Sequence, residues 1–294
     1  MAIELVTKYL PYVDEVFEKE SKKSLLTNQD FNFDGAGTVK IYKISTAEMN
    51  DYGRNGAATG NWSRYGAVKD LNATTETAAL KKDRSFTFVI DKLDQDETGG
   101  MLAGASALAR QTRQVIIPEV DSYVYAVMAN NAGIKPDAMA LTKTNIYEQI
   151  LNASKALDDN LVPETGRVLL VTPEIYRIMK LNSEIVMNTE VGADDRKKGV
   201  IGNLDGATVI KVPASRLPKN FGFMLAHPCA TVAPTKLEDY KTHDDPPGIN
   251  GTLVEGRIVY DAFVLDNKKN AIYYQAMPAS EPESEQSTDE TGKE

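Results

Sequence analysis

The residue pair best suited to chemistry is His227 and Cys229, which are separated only by Pro228. In an extended strand, residues i and i+2 share a face, so an imidazole there can reach a thiol and activate it as a nucleophile. No further motif supports that chemistry, and a buried cysteine usually serves packing. One Cys and two His in 294 residues also exclude a disulfide framework and a cysteine-ligated zinc site, and they disfavour a His-rich metal centre.

A second candidate is the run Asp30, Asn32, Asp34 and Gly35, which begins like the calcium-binding loop of an EF-hand. That loop requires a bidentate Glu at its twelfth position, which is Ile41 in this chain, and a strand pattern follows where a helix is needed. We therefore interpret the run as an Asx-type turn before a strand. It predicts no metal ligand.

Four carboxylates, those of Asp91, Asp94, Asp96 and Glu97, lie close enough in sequence for acid–base work. A catalytic pair needs two environments that separate its pKa values, whereas a helix N-terminus attracts acidic residues simply as caps. We favour capping. The sequence also lacks the glycine-rich phosphate loop and the G-x-S-x-G and H-E-x-x-H motifs. It therefore predicts no catalytic residue, no cofactor site and no metal site, and we do not expect an enzyme.

The charge balance limits the partners of the chain. Its 33 Lys and Arg oppose 42 Asp and Glu, which gives a net charge of −9. Such a protein is not expected to grip nucleic acid through phosphate contacts, although it can still enclose DNA. The sequence shows neither a targeting segment nor the ~18 consecutive apolar residues of a membrane span. One lone thiol fits folding in a reducing cytoplasm.

The elements that would position these residues follow from periodicity. Apolar runs and alternation predict strands at 38–45, 85–91, 167–172, 207–212, 222–226, 230–233, 257–265 and 271–275. Spacings of three and four predict a long helix over 98–130, kinked at Pro118, and a second helix over 142–160. The long helix is expected to bury one stripe: Leu102, Ala105, Ala109, Thr112, Ile116, Val120, Tyr123 and Val127. Thr172 and Pro173 predict the start of a third helix.

The segment between the first two strands, residues 47–82, has a different composition, and we call it the flap. It interleaves glycines with aromatic and cationic side chains, and the residues expected to contact another subunit are Tyr52, Arg54, Trp62, Arg64 and Tyr65. A structureless loop of this length is uncommon in a compact domain, and the flap holds too few aliphatic residues for a core. We therefore predict an extended two-stranded flap that buries its aromatic residues on another molecule.

The N-terminal segment, residues 1–30, carries an apolar stripe at helical spacing, interrupted by Pro11. The stripe consists of Ile3, Val6, Leu10, Val13 and Phe17. Periodicity shows that this face is buried but does not show against what. Two interpretations therefore stand side by side: a helix packed on the body of the same chain, and an arm that lies on a neighbouring subunit.

The order of these elements resembles the Hong Kong 97-type major capsid (coat) proteins of tailed double-stranded-DNA bacteriophages. Three stretches carry the resemblance: Lys81–Gly100 (KKDRSFTFVIDKLDQDETGG), Glu164–Asn182 (ETGRVLLVTPEIYRIMKLN) and Leu253–Tyr274 (LVEGRIVYDAFVLDNKKNAIYY). Residues 113–123, with Pro118 and Asp121, also look like the spine helix of that family. The resemblance spans roughly residues 1–276. It implies an α+β fold with an N-terminal arm, an extended β-hairpin loop, a long spine helix in a peripheral domain, and an α/β axial domain.

The resemblance also implies a division of the chain. The expected parts are an arm (1–35), an extended loop with flanking strands (36–91), a peripheral domain with the spine helix (92–132), an axial domain (133–220), peripheral return strands (221–252), closing axial strands (253–276) and a disordered acidic tail (277–294). The acidic composition of the tail agrees with disorder.

The function that the resemblance implies is structural. The subunit would assemble with itself through pentamers and hexamers into an icosahedral head that encloses double-stranded DNA without sequence-specific binding. Since the chain begins at the arm, we expect a separate scaffolding protein, together with a portal and a possible decoration protein. We expect no membrane partner. The protein would reside in the virion after assembly in the host bacterial cytoplasm.

Three other interpretations remain at this stage. An encapsulin-like nanocompartment shell resembles the same fold and would enclose an enzyme as cargo. A hydrolase or transferase built on the α/β unit is disfavoured by the missing motifs. A decoration or tail-tube protein also assembles, but the long helix and the flap argue against it.

Overall fold

The computed structural model describes residues 21–28, 38–44, 46–56, 62–70, 73–97, 104–182, 184–185 and 200–279. The calcium-loop-like run at 30–35 and the tail from residue 280 onwards lie outside the described residues, as does the apolar stripe of the N-terminal segment. In the part of the chain that is described, no helix combines the length and apolar character of a membrane span.

Helices and strands follow one another along the described chain largely in the order that periodicity predicts. The strands form four sheets. The helices are α1 (Lys92–Glu97), α2 (Gly104–Gln111), α3 (Ile117–Asn131), α4 (Ile146–Asp159) and α5 (Pro173–Leu181). The strands are β1 (Thr38–Ile44), β2 (Ala73–Ala79), β3 (Lys82–Asp91), β4 (Val168–Val171), β5 (Val200–Leu204), β6 (Ala207–Lys211), β7 (Phe221–Ala226), β8 (Thr231–Val232), β9 (Thr235–Asp244), β10 (Gly251–Tyr260), β11 (Phe263–Val264) and β12 (Ile272–Ala276).

The centre of the molecule is a five-stranded mixed sheet in the order β12-β7-β4-β6-β5. All four residues of β4 are buried, because alternate side chains enter two different cores. Leu169 packs with α4 and α5 on one face, whereas Leu170 packs with α3 on the other. The predicted strand and the predicted second helix are confirmed. The four residues that share one face of α4 by their spacing are all buried: Ile146, Ile150, Ala153 and Leu157.

The start of α5 follows from its first residues. Thr172 adopts an extended backbone, and its Oγ1 accepts a hydrogen bond from the Ile175 N–H at 3.2 Å. Pro173 occupies the first helical position, where its missing N–H costs nothing. The predicted helix start is therefore confirmed, and it fixes where the chain leaves β4.

The long helix departs from its prediction at Pro118. The segment Thr112–Ile116 between α2 and α3 is π-helical, and the Ile117 N–H donates to the carbonyl of Thr112, five residues back. An extra residue in the turn accommodates the proline ring, which an α-helix interior does not. It also shifts the phase of the apolar stripe. Past the π turn the fully buried positions include Val124 and Met128, whereas Val127 of the predicted stripe is half-buried; Ala109, which precedes the turn, is exposed.

A second sheet, in the order β3-β10-β9, packs beside the long helix. The sequence patterns did not predict β9, because its residues alternate between polar and charged types with little apolar content. Two ranges of the expected division also cross sheet boundaries. β10 pairs with β3 and β9, although it begins the range assigned to the closing axial strands. β7 lies in the central sheet, although it begins the range 221–252, because six consecutive buried residues require cover on both faces.

Candidate inter-subunit surfaces

The flap leaves the body as an antiparallel hairpin. β1 and β2 pair from Thr38↔Ala79 to Ile44↔Ala73, and the chain between them forms the flap tip, residues 46–70. The hairpin is anchored to the body at two points. Ala78, near the body end of the paired strands, is buried against Val232 and Leu265, and the Lys43 ammonium, near the end that leads to the tip, lies 2.7 Å from a carboxylate oxygen of Asp266. The body therefore sets the direction of the hairpin along the length of the paired strands.

The described part of the flap tip holds all five flap residues that are predicted to contact another subunit. The rings of Tyr52 and Tyr65 meet edge to face with centroids 5.0 Å apart, and the Gly53 N–H donates to the Arg64 carbonyl at 2.8 Å. Trp62 stands apart, with 87% of its surface exposed. Arg54 and Arg64 are also exposed. The tip is thus an ordered platform whose largest apolar side chain has no cover within the described residues of its own chain.

The N-terminal segment is described only from Ser21 onwards, so Ile3, Val6, Leu10, Val13 and Phe17 lie outside the described residues. The described end, residues 21–28, packs on the body of its own chain. Leu26 is fully buried in the core beside α3, and the Asn28 N–H donates to the Thr231 carbonyl at 2.7 Å. This packing does not distinguish the two interpretations of the apolar stripe, and contact of the stripe with a neighbour stays a prediction.

A buried ionic cluster holds the end of the arm against α3. Asp121 accepts a hydrogen bond from the Ser21 hydroxyl at 2.6 Å and one from the Arg216 guanidinium at 3.2 Å. Burial raises the pKa of Asp121, while Ser21, Arg216 and Lys23 oppose that rise. Burial likewise lowers the pKa of Lys23. Both pKa shifts follow the direction set by burial, so the mutual contacts of these charges offset only part of their desolvation cost.

Asp261 ties the flap to the long helix. Its carboxylate accepts hydrogen bonds from the Lys81 N–H at 2.8 Å, the Tyr123 hydroxyl at 2.7 Å and the Ala262 N–H at 2.8 Å. Lys81 lies between β2 and β3, so this junction, which we call the Asp261 junction, fixes the point where the flap meets the body. Tyr260 and Asp261 lie in one of the stretches that carry the resemblance, but their spatial partners are not readable from sequence.

The Asp261 junction predicts a loss of stability at alkaline pH. Burial and the hydrogen bond to Asp261 raise the pKa of Tyr123 from 10.0 to about 12. Between those values the folded protein binds more protons than the unfolded chain, so the contribution is complete below pH 10 and lost as the pH rises to about 12. We expect the free energy of unfolding to fall across this window, and urea denaturation at a series of pH values measures it.

The matched variants for this prediction are Tyr123→Phe and Tyr52→Phe, since Tyr52 lies on the exposed flap tip. Tyr123→Phe is expected to reduce the pH dependence without abolishing it, because burial also raises the pKa of Tyr260, to about 12, and that of Tyr240. A slope in Tyr123→Phe as steep as in the unchanged chain contradicts this assignment.

Two of the residues considered for catalysis, His227 and Asp91, accept hydrogen bonds from nearby backbone N–H groups. The His227 Nδ1 accepts a hydrogen bond from the Cys229 N–H at 3.2 Å, so the imidazole caps a turn and is engaged with the backbone. Burial raises the pKa of the Cys229 thiol, which opposes thiolate formation. Asp91 accepts from the Leu93 N–H at 2.8 Å, which supports the capping interpretation. Within the described ranges, no three metal-ligating side chains cluster.

Comparison with known proteins identifies the family of this chain. Residues 72–274 match the family model described as phage capsid protein, which covers more than half of the sequence. The chain therefore belongs to the phage capsid protein family. No curated protein sequence matches it.

Solved structures agree with the family. A structure from Mycobacterium phage Che8 is similar at 19% identity and a TM-score of 0.68, covering 92% of this chain and 98% of that one. The capsid structure of Cyanophage P-SCSP1u is similar at 14% identity and a TM-score of 0.71, covering 94% and 93%. The mature capsid of bacteriophage PhiM1 is similar at 12% identity and a TM-score of 0.66, covering 92% and 91%. At these identities the likeness shows the fold, and the predicted Hong Kong 97-type α+β fold is confirmed.

The chain is thus a bacteriophage capsid protein, a component of the shell of the virion. The flap tip carries the largest exposed apolar side chain among the described residues, that of Trp62.

Proposed function

We propose that this protein is the major capsid protein that builds an icosahedral phage head through pentamers and hexamers, with the flap tip crossing onto a neighbouring copy. The observation that carries the proposal is the flap tip itself: an ordered hairpin end whose Trp62 is 87% exposed and which contributes little to its own core. Extending such a segment into solvent costs conformational entropy that a partner surface must offset. An aromatic and cationic platform is also the composition of interface anchors.

The partners follow from the same proposal. The head would enclose double-stranded DNA without gripping it, in agreement with the net charge of −9. A separate scaffolding protein, a portal and a decoration protein are the further partners, and assembly would take place in the host bacterial cytoplasm. The protein would act as a building block and not as an enzyme. The phage capsid family model favours a viral head over an encapsulin-like nanocompartment.

The domain division is part of the proposal, with two ranges redrawn on the sheets. The peripheral domain comprises the long helix with the sheet β3-β10-β9. The axial domain comprises the sheet β12-β7-β4-β6-β5 with α4 and α5. The arm, the flap and the acidic tail extend from these two bodies.

The proposal is tested by electron microscopy and light scattering of the purified full-length chain, alone and with its scaffolding protein. Uniform hollow shells, or free pentamers and hexamers, are expected. A stable monomer or dimer under both conditions contradicts the proposal.

A deletion variant tests the part played by the flap. Removing residues 53–66 shortens the flap tip and leaves in place the paired strands β1 and β2 and the two contacts that anchor them to the body. We expect a folded subunit with nearly unchanged thermal unfolding that forms no shells. Normal shells from this variant would show that the flap tip is not an assembly contact.

A further inference from the structure

The loop after α4, residues 158–163, presents a leucine in an unusual way. The Leu161 N–H donates to the Asp158 carbonyl at 2.9 Å, and the Val162 N–H donates to the Leu157 carbonyl at 3.0 Å. These two bonds define a Schellman motif with Leu161 at its left-handed position, where glycine is usual. The φ of Leu161 is +57°, a conformation that is strained for a branched apolar residue. Its side chain is 92% exposed, so no packing in its own chain compensates.

A buried arginine holds this loop rigidly. Arg167 donates to the Pro163 carbonyl at 2.9 Å, to the Val162 carbonyl at 2.6 Å and to the Asp158 carboxylate at 2.6 Å. The guanidinium is almost fully buried, with 4% of its side-chain surface exposed. Leu161 is therefore not a frayed residue at a loose turn. The backbone of Leu161 is both clamped and strained, and its side chain is almost fully exposed. Together these features indicate a side chain that is presented to a partner.

An apolar groove lies at the opposite end of the same sheet. The loop that carries Leu161 comes directly before β4. The groove, in contrast, is lined by residues that come after β4, β6 and β12 and by the first residue of β7. The four-residue β4 separates the two ends by about 13 Å. The groove has a volume of about 480 Å³, and Leu141, Leu217, Phe221 and Met277 supply its apolar lining. That volume is ample for one leucine side chain.

We propose that Leu161 of one copy of the chain inserts into this groove on the next copy. Charge favours the pairing, because Asp159 is exposed beside Leu161 and Lys219 is exposed on the wall of the groove. A protrusion at one end and a receiving groove at the other make a head-to-tail contact, which closes into a ring when its rotation divides a full turn. The contact would therefore lie within a pentamer or hexamer, and in that respect it rests on the proposed function.

Two substitutions of one residue test the anchor. Leu161→Gly relieves the backbone strain and removes the side chain, so we expect the melting temperature of the unassembled subunit to rise by about 2 °C. The lowest chain concentration that yields shells is expected to rise about tenfold or more. Leu161→Ala removes the anchor but keeps the strain, so assembly falls without the thermal gain. The control is Leu151→Ala, which truncates an exposed leucine within α4 and is expected to assemble normally.

Charge reversal tests the receiving surface. Asp159→Lys and Lys219→Glu are each expected to raise the concentration needed for shells about threefold or more, because like charges then meet at every head-to-tail contact. The double variant restores the opposite pair and is expected to recover most of the loss. A double variant no better than the poorer single variant overturns the assignment of this groove.

The outcomes separate the two proposals. If the unchanged chain forms no shells, the proposed function fails. If the unchanged chain and Leu161→Gly form shells at the same concentration, the function stands and the Leu161 contact is overturned.

Discussion

Replacing Trp62 by alanine is expected to leave the subunit folded and to prevent shell formation at concentrations where the unchanged chain assembles. Trp62 is 87% exposed, so its removal costs the fold almost nothing. A buried tryptophan at the centre of an interface commonly contributes about 2 kcal/mol or more, roughly a 30-fold change in affinity, and each copy in a closed shell makes the contact.

The chain offers a direct optical readout of this contact, because Trp62 is its single tryptophan. We expect the fluorescence emission of the unchanged protein to shift to shorter wavelength on assembly, as the indole leaves water. The matched control is Val115→Ala, which truncates an exposed apolar residue on the long helix and is expected to assemble normally. Shells with unshifted emission, or normal shells from Trp62→Ala, would place the anchoring contact elsewhere.

Replacing Asp261 by alanine is expected to cause a large loss of stability in the subunit itself. The carboxylate is 3% exposed and accepts hydrogen bonds from Lys81, Tyr123 and Ala262. Hydrogen bonds to a charged group contribute about 1.5–3 kcal/mol each, and the donors left behind lose their partner without regaining water. Since such effects are not additive, we expect a loss of about 3–5 kcal/mol in the free energy of unfolding.

Urea denaturation measures this loss, and amide hydrogen exchange locates it. Exchange is expected to accelerate first around Lys81, where the flap meets the body. Asp83→Ala provides the comparison, because Asp83 is paired with Arg257 at the surface and such exposed pairs contribute about 1 kcal/mol at most. Equal losses in the two variants would show that the Asp261 junction has no special part in holding the flap.

Local rules predicted the parts of the fold that local chemistry determines. The capped start of α5 at Thr172 and Pro173 needs only four consecutive residues to be recognised. The buried face of α4 follows from spacing alone, and the flap was inferred from a composition that cannot form a core. In each case, the determining residues are neighbours in sequence.

Features that depend on distant partners were not predictable in the same way. The strand β9 has little apolar alternation, and its pairing with β10 places it in the sheet. The π turn before Pro118 changed which residues of α3 are buried, since one extra residue rotates the stripe that follows. The Asp261 junction joins residues 81, 123 and 261, and no local pattern connects them.

The same limits apply to the assembly surfaces. Trp62 was recognisable as an anchor because the flap has no core of its own. Leu161 was not, because its left-handed backbone follows from a Schellman motif that ordinarily ends in glycine. A leucine in that position looks like any other surface residue until the backbone is known.

The separation of the flap tip from the core has a consequence for how the protein changes over generations. Substitutions at Tyr52, Trp62 or Tyr65 scarcely affect the fold of the single chain, so selection for a foldable subunit does not restrain them. Under the proposed function, they are restrained by the surface of another copy that receives them. We therefore expect the tip and that surface to vary together between related phages, while the residues of the central sheet vary independently of both.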